Sequence, residues 1–165
     1  MSIILNWINT NQDILALLFV ILCILLLCVF RNIGIDRTDI FTILCVGYIF
    51  CVLYKTVFSR TPRNVSWNLE FGWSYRALLA HNAGMFSQIY LNIMLFIPLG
   101  CFAEKAFMKK KNSCIVALIL GLMVTITIEF LQSFLKRGLF ELDDIFNNML
   151  GAAIGVGIAR SIRHK

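Results

Sequence analysis

The stretch CIVALILGLMVTITIEFLQSFL, from Cys114 to Leu135, decides the fold of this chain. It contains a single charged residue, Glu129, among side chains that are almost all apolar. A segment of this length and apolarity predicts a transmembrane helix. An ionisable side chain inside such a helix is costly to insert and usually belongs to a site. The function of Glu129 is therefore the central question about this sequence.

The composition places the whole chain in a membrane. Of its 165 residues, 59% are apolar and only 15% are charged, which is more apolar surface than a soluble domain of this size can bury. We therefore expect one membrane domain over residues 1–165. The net charge of +6 comes from Lys and Arg in the connecting segments, as is typical of membrane helices, and we expect no nucleic-acid partner. The composition leaves the oligomeric state open.

Five apolar runs predict an all-α polytopic helical bundle, because helices satisfy their own backbone groups in lipid. The third run can start earlier, near Ala83. The last run is short for a full span and leaves open a tilted helix, a re-entrant segment, or a span extended through Asp144 and Ile162. The runs are Ile14–Phe30, Ile40–Phe58, Ile89–Ala103, Cys114–Leu135 and Ile145–Ala159.

The distribution of basic residues predicts the orientation. Five spans with the N-terminus outside place nine Lys and Arg residues in the cytoplasm and six outside, and the reverse orientation places six inside. We therefore expect an external N-terminus and a cytoplasmic C-terminus. The long loop from Ser59 to Gln88 is then external, and its aromatic residues predict a partly ordered loop resting on the membrane surface.

Cysteine and histidine usage gives no sign of a metal site. The six cysteines lie in or beside apolar runs without a CxxC pair, and there are only two histidines. Single buried thiols are the better interpretation. We expect no metal and no cofactor.

Helical spacing groups the polar residues of the fourth run into one stripe. Thr125, Glu129, Gln132 and Lys136 stand at i, i+4, i+7 and i+11, so this stripe is expected to face the bundle interior. The fifth segment has a matching stripe, in which two polar residues are followed by a GxxxG pair that allows close helix packing. Its members are Asp144, Asn148, Gly151 and Gly155.

The predicted topology brings polar residues from several segments to the outer leaflet, where a shared polar pocket would form. We take Glu129 and Asp144 as candidate catalytic residues. Pro98, followed by Gly100, is expected to kink the third helix and open local space. The candidate substrate-binding residues are Arg60, Asn92, Gln132, Arg137, Asp143 and Asn148.

Structural roles are open alternatives for several of these residues. Asp143 or Asp144 can cap the last helix, since Asp is a favoured N-cap residue. Glu129 can pair with Arg137 or Arg60 to hold the bundle together. Asn92 can be an interhelical hydrogen-bond partner.

Three blocks in order resemble the VanZ-like family of bacterial membrane proteins. They are LNIMLFIPLG at residues 91–100, EFLQ at 129–132, and RGLFELDDIFNNMLGAAIG at 137–155, and the resemblance is strongest over 89–159. Arg60 also resembles a family position. The resemblance implies the bacterial cytoplasmic membrane, a cell-envelope setting and a link to resistance to the glycopeptide teicoplanin.

Three functions follow as hypotheses. The first is binding of a membrane lipid, a lipid-linked envelope precursor or a lipoglycopeptide, with arginines on phosphate or carboxylate groups. The second is an enzyme acting on a lipid-linked phosphate or sugar. There Glu129 would be the general acid or base, and Asp143 or Asp144 would be the second carboxylate or a Mg²⁺ ligand with Asn148. The third is a small proton-coupled transporter.

Overall fold

The computed structural model describes residues 36–62, 67–81 and 83–163, and this part of the chain is almost entirely helical. The predicted first run, Ile14–Phe30, lies outside the described residues. The elements are α1 (Arg37–Leu53) with a π-helical continuation (Tyr54–Phe58), β1 (Trp67–Asn68), α2 (Trp73–Leu79), α3 (Ala83–Ala106), α4 (Ser113–Phe134), β2 (Phe140–Glu141) and α5 (Leu142–Arg163).

Four of the described helices are long and apolar enough to cross a membrane: Arg37–Phe58, Gly84–Ala106, Ser113–Phe134 and Leu142–Ile162. At the helical rise of about 1.5 Å per residue, each matches a hydrocarbon core of about 30 Å. The prediction of an all-α polytopic bundle is confirmed. Of the alternatives for the last segment, the structure has the extended helix, which includes both Asp144 and Ile162.

The closest helix contact is between α3 and α5, and it depends on glycine. A Cβ atom on Gly151 would lie 2.1 Å from the carbonyl oxygen of Ile93, and one on Gly155 would lie 2.1 Å from that of Ile97. The absence of a side chain therefore lets the two backbones touch, as the GxxxG spacing predicts. This contact fixes the register of α5 against α3.

The neighbourhood of Pro98 differs from the expectation. The helix α3 continues through Pro98 to Ala106, and a Cβ atom on Gly100 would lie 2.2 Å from the carbonyl oxygen of Ala152. The expected local space is therefore filled by the backbone of α5. Helix packing prevails here because Gly100 offers a surface without a side chain to the small residues of α5.

The segment between α1 and α3 folds back over one end of the bundle. Its strand β1 pairs in parallel with β2, in a register that sets Trp67 opposite Phe140 and Asn68 opposite Glu141. The rings of Trp67 and Phe140 stack with centroids 5.1 Å apart. This ladder and α2 bring the loop to the end of the bundle where α4 ends and α5 begins.

Candidate binding site

Three carboxyl groups are buried together at this end of the bundle. Glu129 on α4 is 1% exposed, Glu141 on β2 is 5% exposed and Asp144 on α5 is 6% exposed; we call them the carboxyl trio. The backbone N–H of Glu141 donates to Oε2 of Glu129 at 3.0 Å. Gln88 on α3 uses one atom, Nε2, to donate to Oε2 of Glu141 at 2.8 Å and to Oδ1 of Asp144 at 3.1 Å. Three elements thus converge on the trio, and a fourth connects two of its members.

A second polar layer lies one helical turn below the trio. Thr125 stands four residues before Glu129, and Asn148 stands four residues after Asp144. Nδ2 of Asn148 donates to Oγ1 of Thr125 at 2.8 Å, and both side chains are buried. Oδ1 of Asn148 is enclosed and has no hydrogen-bond partner in the described part of the chain. This amide therefore offers an unused acceptor directly beneath the carboxyls.

Arg60 supplies positive charge at the edge of the trio. It is close enough to interact electrostatically with all three carboxyls, and its Nη1 donates to Oε1 of Gln132 at 3.4 Å. Nε2 of Gln132 in turn donates to the carbonyl oxygen of Thr56 at 3.1 Å. Gln132 thereby joins α4 to the end of the first described span.

Arg137 binds backbone rather than carboxylate. Its Nη1 donates to the carbonyl oxygens of Phe58 at 2.6 Å and Arg60 at 2.8 Å. Within the described residues no arginine nitrogen lies within ion-pair distance of Glu129, so the alternative of a Glu129–Arg137 or Glu129–Arg60 pair is wrong. The ion pairs that do occur there are exposed and involve other residues, Arg76 with Glu70 and Lys109 with Asp36.

Asp143 holds in place residues 67–81 between α1 and α3, which we call the covering segment. Its Oδ1 accepts from the backbone N–H of Gly72 at 2.6 Å, and its Oδ2 accepts from the backbone N–H and the hydroxyl of Ser74 at 2.9 and 2.7 Å. Gly72 is the N-cap residue of α2, so Asp143 satisfies free N–H groups of that helix. It lies in the first turn of its own helix, α5. Asp143 therefore caps α2, whereas the capping alternative had it cap the last helix.

Two more amides with unused atoms, Asn147 on α5 and Asn92 on α3, lie at this end of the bundle. The hydroxyl of Tyr75 donates to Oδ1 of Asn147, whose side chain is fully buried and whose Nδ2 has no partner in the described part. Asn92 on α3 lies near enough to Asp144 to interact electrostatically with it. Its Nδ2 is enclosed and makes no hydrogen bond of regular geometry with the described residues. The site therefore has unused donors as well as unused acceptors.

The environment of Glu141 favours its protonated form. Burial, and then the negative charge of Asp144, raise the pKa of Glu141 from 4.5 to about 7, against the opposing effects of Gln88 and Arg60. Among the described residues, no three His, Cys, Asp or Glu side chains are arranged to hold a metal ion. Burial and mutual repulsion of neighbouring carboxyls therefore dominate the electrostatics of the trio.

A family model described as VanZ/LLP1 matches residues 17–163, nearly the whole chain. The chain belongs to the VanZ/LLP1 family. No curated protein and no solved structure matches it. The family assignment, together with four apolar helices of membrane-spanning length, makes this a VanZ-like membrane protein.

The structure of this VanZ/LLP1 protein brings most of the predicted site residues together. The α4 stripe is buried at Thr125, Glu129 and Gln132, whereas Lys136 is exposed beyond the end of the helix. Arg60, Asn92, Asp144 and Asn148 border the same region. Asp143 and Arg137 are adjacent, but their polar atoms contact the loop and the end of the first described span. The roles predicted from the sequence stay predictions, both the catalytic roles of two residues and the substrate-binding roles of six. The eight residues are Glu129, Asp144, Arg60, Asn92, Gln132, Arg137, Asp143 and Asn148.

Several residues of the site were not among the site residues predicted from the sequence. Glu141 lies three residues before Asp144, and Gln88 lies four residues before Asn92 on one helix face, so the spacing that grouped the other stripes could have found both. Ser74, Tyr75 and Asn147 had no such signal, since they reach the site through contacts about 70 residues apart in sequence.

Proposed function

We propose that this VanZ/LLP1 protein sits in the bacterial cytoplasmic membrane and binds the headgroup of a lipid-linked envelope component or of a lipoglycopeptide at the carboxyl trio. One observation carries the proposal. Each of the three buried carboxyls keeps one oxygen without a hydrogen-bond donor among the described residues. None of these three oxygens is among the fully enclosed polar atoms.

Burying three carboxyls without a paired cation is expensive, and such groups in a membrane protein are usually retained for function. A purely structural role would leave part of the free energy of desolvation uncompensated. A ligand that donates hydrogen bonds into the trio compensates it. The structural alternative of an internal ion pair is absent from the described residues.

The depth of the site suits a headgroup. Glu129 stands six residues before Leu135, which follows the last residue of α4, so it lies about 9 Å below the helix end. Arg60 stands at the rim with a guanidinium group, which is well suited to a phosphate or carboxylate. A headgroup with a phosphate near Arg60 and donor groups toward the trio would keep its acyl or isoprenoid chain in lipid.

Asp143 and Arg137 act in this proposal as positioning residues. Asp143 ties Gly72 and Ser74 to α5, and Arg137 ties the backbone of Phe58 and Arg60 to the turn after α4. The contacts of Asp143 hold the covering segment, and those of Arg137 fix the backbone position of Arg60.

One observation favours acid–base catalysis as a second candidate function. The pKa of Glu141, raised to about 7, suits a group that both accepts and donates a proton near neutrality. The substrate would be a lipid-linked phosphate or sugar. A proton-coupled transporter has less support, because the buried layer below Asn148 consists of apolar and small side chains such as Val124, Ala152 and Val156.

Native mass spectrometry of the purified full-length protein tests binding. The protein is released from nanodiscs of bacterial lipid extract, and the masses that remain bound are compared with those of Glu129→Gln and Glu104→Gln. Glu104 is the matched control, because it is equally buried, at 1% exposure, but lies at the opposite end of the bundle. We expect Glu129→Gln to lose a specific lipid adduct that Glu104→Gln keeps. Equal adducts in all three proteins contradict the proposal.

Turnover of the retained lipid separates binding from catalysis. If the wild-type protein converts that lipid and both Glu129→Gln and Glu141→Gln abolish the conversion while remaining folded, the second candidate function is supported. If the lipid is bound and returned unchanged, the protein is a binding protein. Full activity in Glu129→Gln excludes acid–base chemistry at that residue.

A further inference from the structure

The carboxyl trio has a second property, which concerns the class of ligand and rests on the binding function proposed above. Within the trio itself, the unused atoms are acceptors: Oε1 of Glu129, Oε1 of Glu141 and Oδ2 of Asp144 receive none of the hydrogen bonds found among the described residues, and the amide of Asn92 lies beside Asp144. Nearby enclosed amide atoms without partners are mixed: Oδ1 of Asn148 is an acceptor, and Nδ2 of Asn92 and Nδ2 of Asn147 are donors. A ligand for the trio must therefore bring several donors.

The charge of the set selects among donor-rich ligands. Arg60 acts on all three carboxyls, yet the negative charge of Asp144 still raises the pKa of Glu141, so the negative charge at the site is not fully offset. The hydroxyl groups of a neutral sugar would supply donors but would not offset this charge. A cation with N–H groups does both, and hydrogen bonds between ionised partners are about twice as strong as neutral ones.

A metal cation fits less well than an ammonium group. Mg²⁺ and Ca²⁺ require oxygens at about 2.0 to 2.6 Å from one centre, and no three acidic, Cys or His side chains of the described residues converge in that way. An ammonium nitrogen bonds oxygens at about 2.7 to 2.9 Å and tolerates a wider spacing.

Gln88 shows that a nitrogen fits between two members of the trio. Its Nε2 bridges Oε2 of Glu141 and Oδ1 of Asp144 at 2.8 and 3.1 Å. This amide uses one oxygen of each carboxyl and leaves the other oxygen of each free. A second nitrogen with three N–H groups would bond the free oxygens, with Glu129 as the third acceptor.

We infer that the ligand carries a primary ammonium group, which binds among Glu129, Glu141 and Asp144 through three N–H donors. The amine can belong to a lipid headgroup or to an amphiphilic lipoglycopeptide, since both present the same group at the membrane surface. The raised pKa of Glu141 agrees with this inference, because repulsion from Asp144 in the empty site is relieved when a cation binds.

The test compares lipids that differ only at the nitrogen. The full-length protein in nanodiscs of phosphatidylglycerol is titrated with short-chain phosphatidylethanolamine, its N-acetylated form, or phosphatidylcholine, and binding is measured by native mass spectrometry. We expect the primary amine to bind at least about tenfold more tightly than the acetylated form, which has lost the charge, and the choline form, which has lost the N–H donors. Glu129→Gln and Glu141→Gln should remove this preference, and Glu104→Gln should keep it.

A second arm distinguishes the two sources of the amine. A lipoglycopeptide with a free amine and its N-acetylated derivative are titrated in the same nanodiscs. Preference for the free amine in only one arm identifies the source. Equal binding of amine, acetylated and choline forms overturns the inference while leaving headgroup binding intact, and binding that requires added Mg²⁺ or Ca²⁺ overturns it as well. Absence of any binding that depends on Glu129 overturns the proposed function itself.

Discussion

Oε2 of Glu129 accepts a hydrogen bond from the backbone N–H of Glu141, with an N–O distance of 3.0 Å. This bond ties α4 to the residue that precedes α5. Glu129→Gln keeps an acceptor oxygen at this position, so we expect the variant to fold with little loss of stability. Glu129→Leu leaves a buried N–H without a partner and should lower the free energy of unfolding by about 1 to 3 kcal/mol. Thermal unfolding in one detergent measures both. Equal loss in the two variants would show that the charge, rather than the hydrogen bond, stabilises the contact.

The contact between α3 and α5 predicts opposite outcomes for glycines of one helix. Gly151→Ala and Gly155→Ala each place a methyl group about 2.1 Å from a carbonyl oxygen of α3. The helices must separate, and we expect a loss of roughly 1 to 3 kcal/mol or more for each. Gly157 has nothing within 4 Å of the added Cβ atom, so Gly157→Ala should be neutral or slightly stabilising through helix propensity. The order of thermal unfolding midpoints checks this, and similar midpoints for Gly151→Ala and Gly157→Ala would contradict it.

These two relationships differ in how well the sequence predicts them. The stripes of α4 and α5 follow from helical periodicity, which is a local property, and a carboxylate in an apolar helix must face inward. The same reasoning predicted the buried positions of Thr125, Gln132 and Asn148, and the close approach at Gly151. The bundle class follows in the same way from the length and apolarity of the runs.

The covering segment could not be predicted in this way. Its strands contain two residues each, and their parallel pairing joins Trp67 to Phe140 across more than 70 positions. No local periodicity encodes such a pair. The hydrogen-bond partners of Arg137 could not be predicted for a related reason, because a long flexible side chain next to several acceptors has no preferred partner in the sequence. Arg137 donates to the carbonyls of Phe58 and Arg60, whose position depends on where the first described span ends.

Asp143 should stabilise the covering segment without affecting the stability of the helical bundle. Asp143→Ala removes three hydrogen bonds to Gly72 and Ser74, whereas Ser74→Ala removes only the hydroxyl bond. We expect faster amide hydrogen exchange across Gly72–Leu79 in Asp143→Ala, a smaller increase in Ser74→Ala, and unchanged exchange in α3 and α5. Hydrogen exchange with mass spectrometry resolves these regions. Unchanged exchange in α2 of Asp143→Ala would show that other contacts hold the segment.

Glu141 predicts how stability depends on pH. Burial and the charge of Asp144 raise its pKa from 4.5 in the free residue to about 7 in the folded protein. The folded protein therefore retains a proton that the unfolded chain releases, and the free energy of unfolding should decrease as pH rises across that window. Glu141→Gln removes this contribution while Glu129, Asp143, Asp144 and Arg60 remain.

Thermal unfolding midpoints of the wild type and Glu141→Gln, measured at steps between about pH 4.5 and pH 8 in one detergent, isolate the effect. The difference between the two proteins should change across the window and level off above about pH 7. Parallel curves would mean that Glu141 has the same proton affinity in the folded and unfolded states.

The side of the membrane that holds the site is predicted by the distribution of basic residues and can be measured directly. In a cysteine-free background, Leu69→Cys lies on the covering segment and Lys111→Cys lies between α3 and α4, at the opposite end of the bundle; both native side chains are exposed. Gly138 is unsuitable for this purpose, because an added Cβ atom would lie 2.8 Å from Oε1 of Gln132. We expect a membrane-impermeant maleimide to label Leu69→Cys in intact cells and Lys111→Cys only after permeabilisation. The reverse pattern would place the carboxyl trio on the cytoplasmic side, where an external lipoglycopeptide has no direct access and a cytoplasmic-leaflet lipid is the remaining ligand.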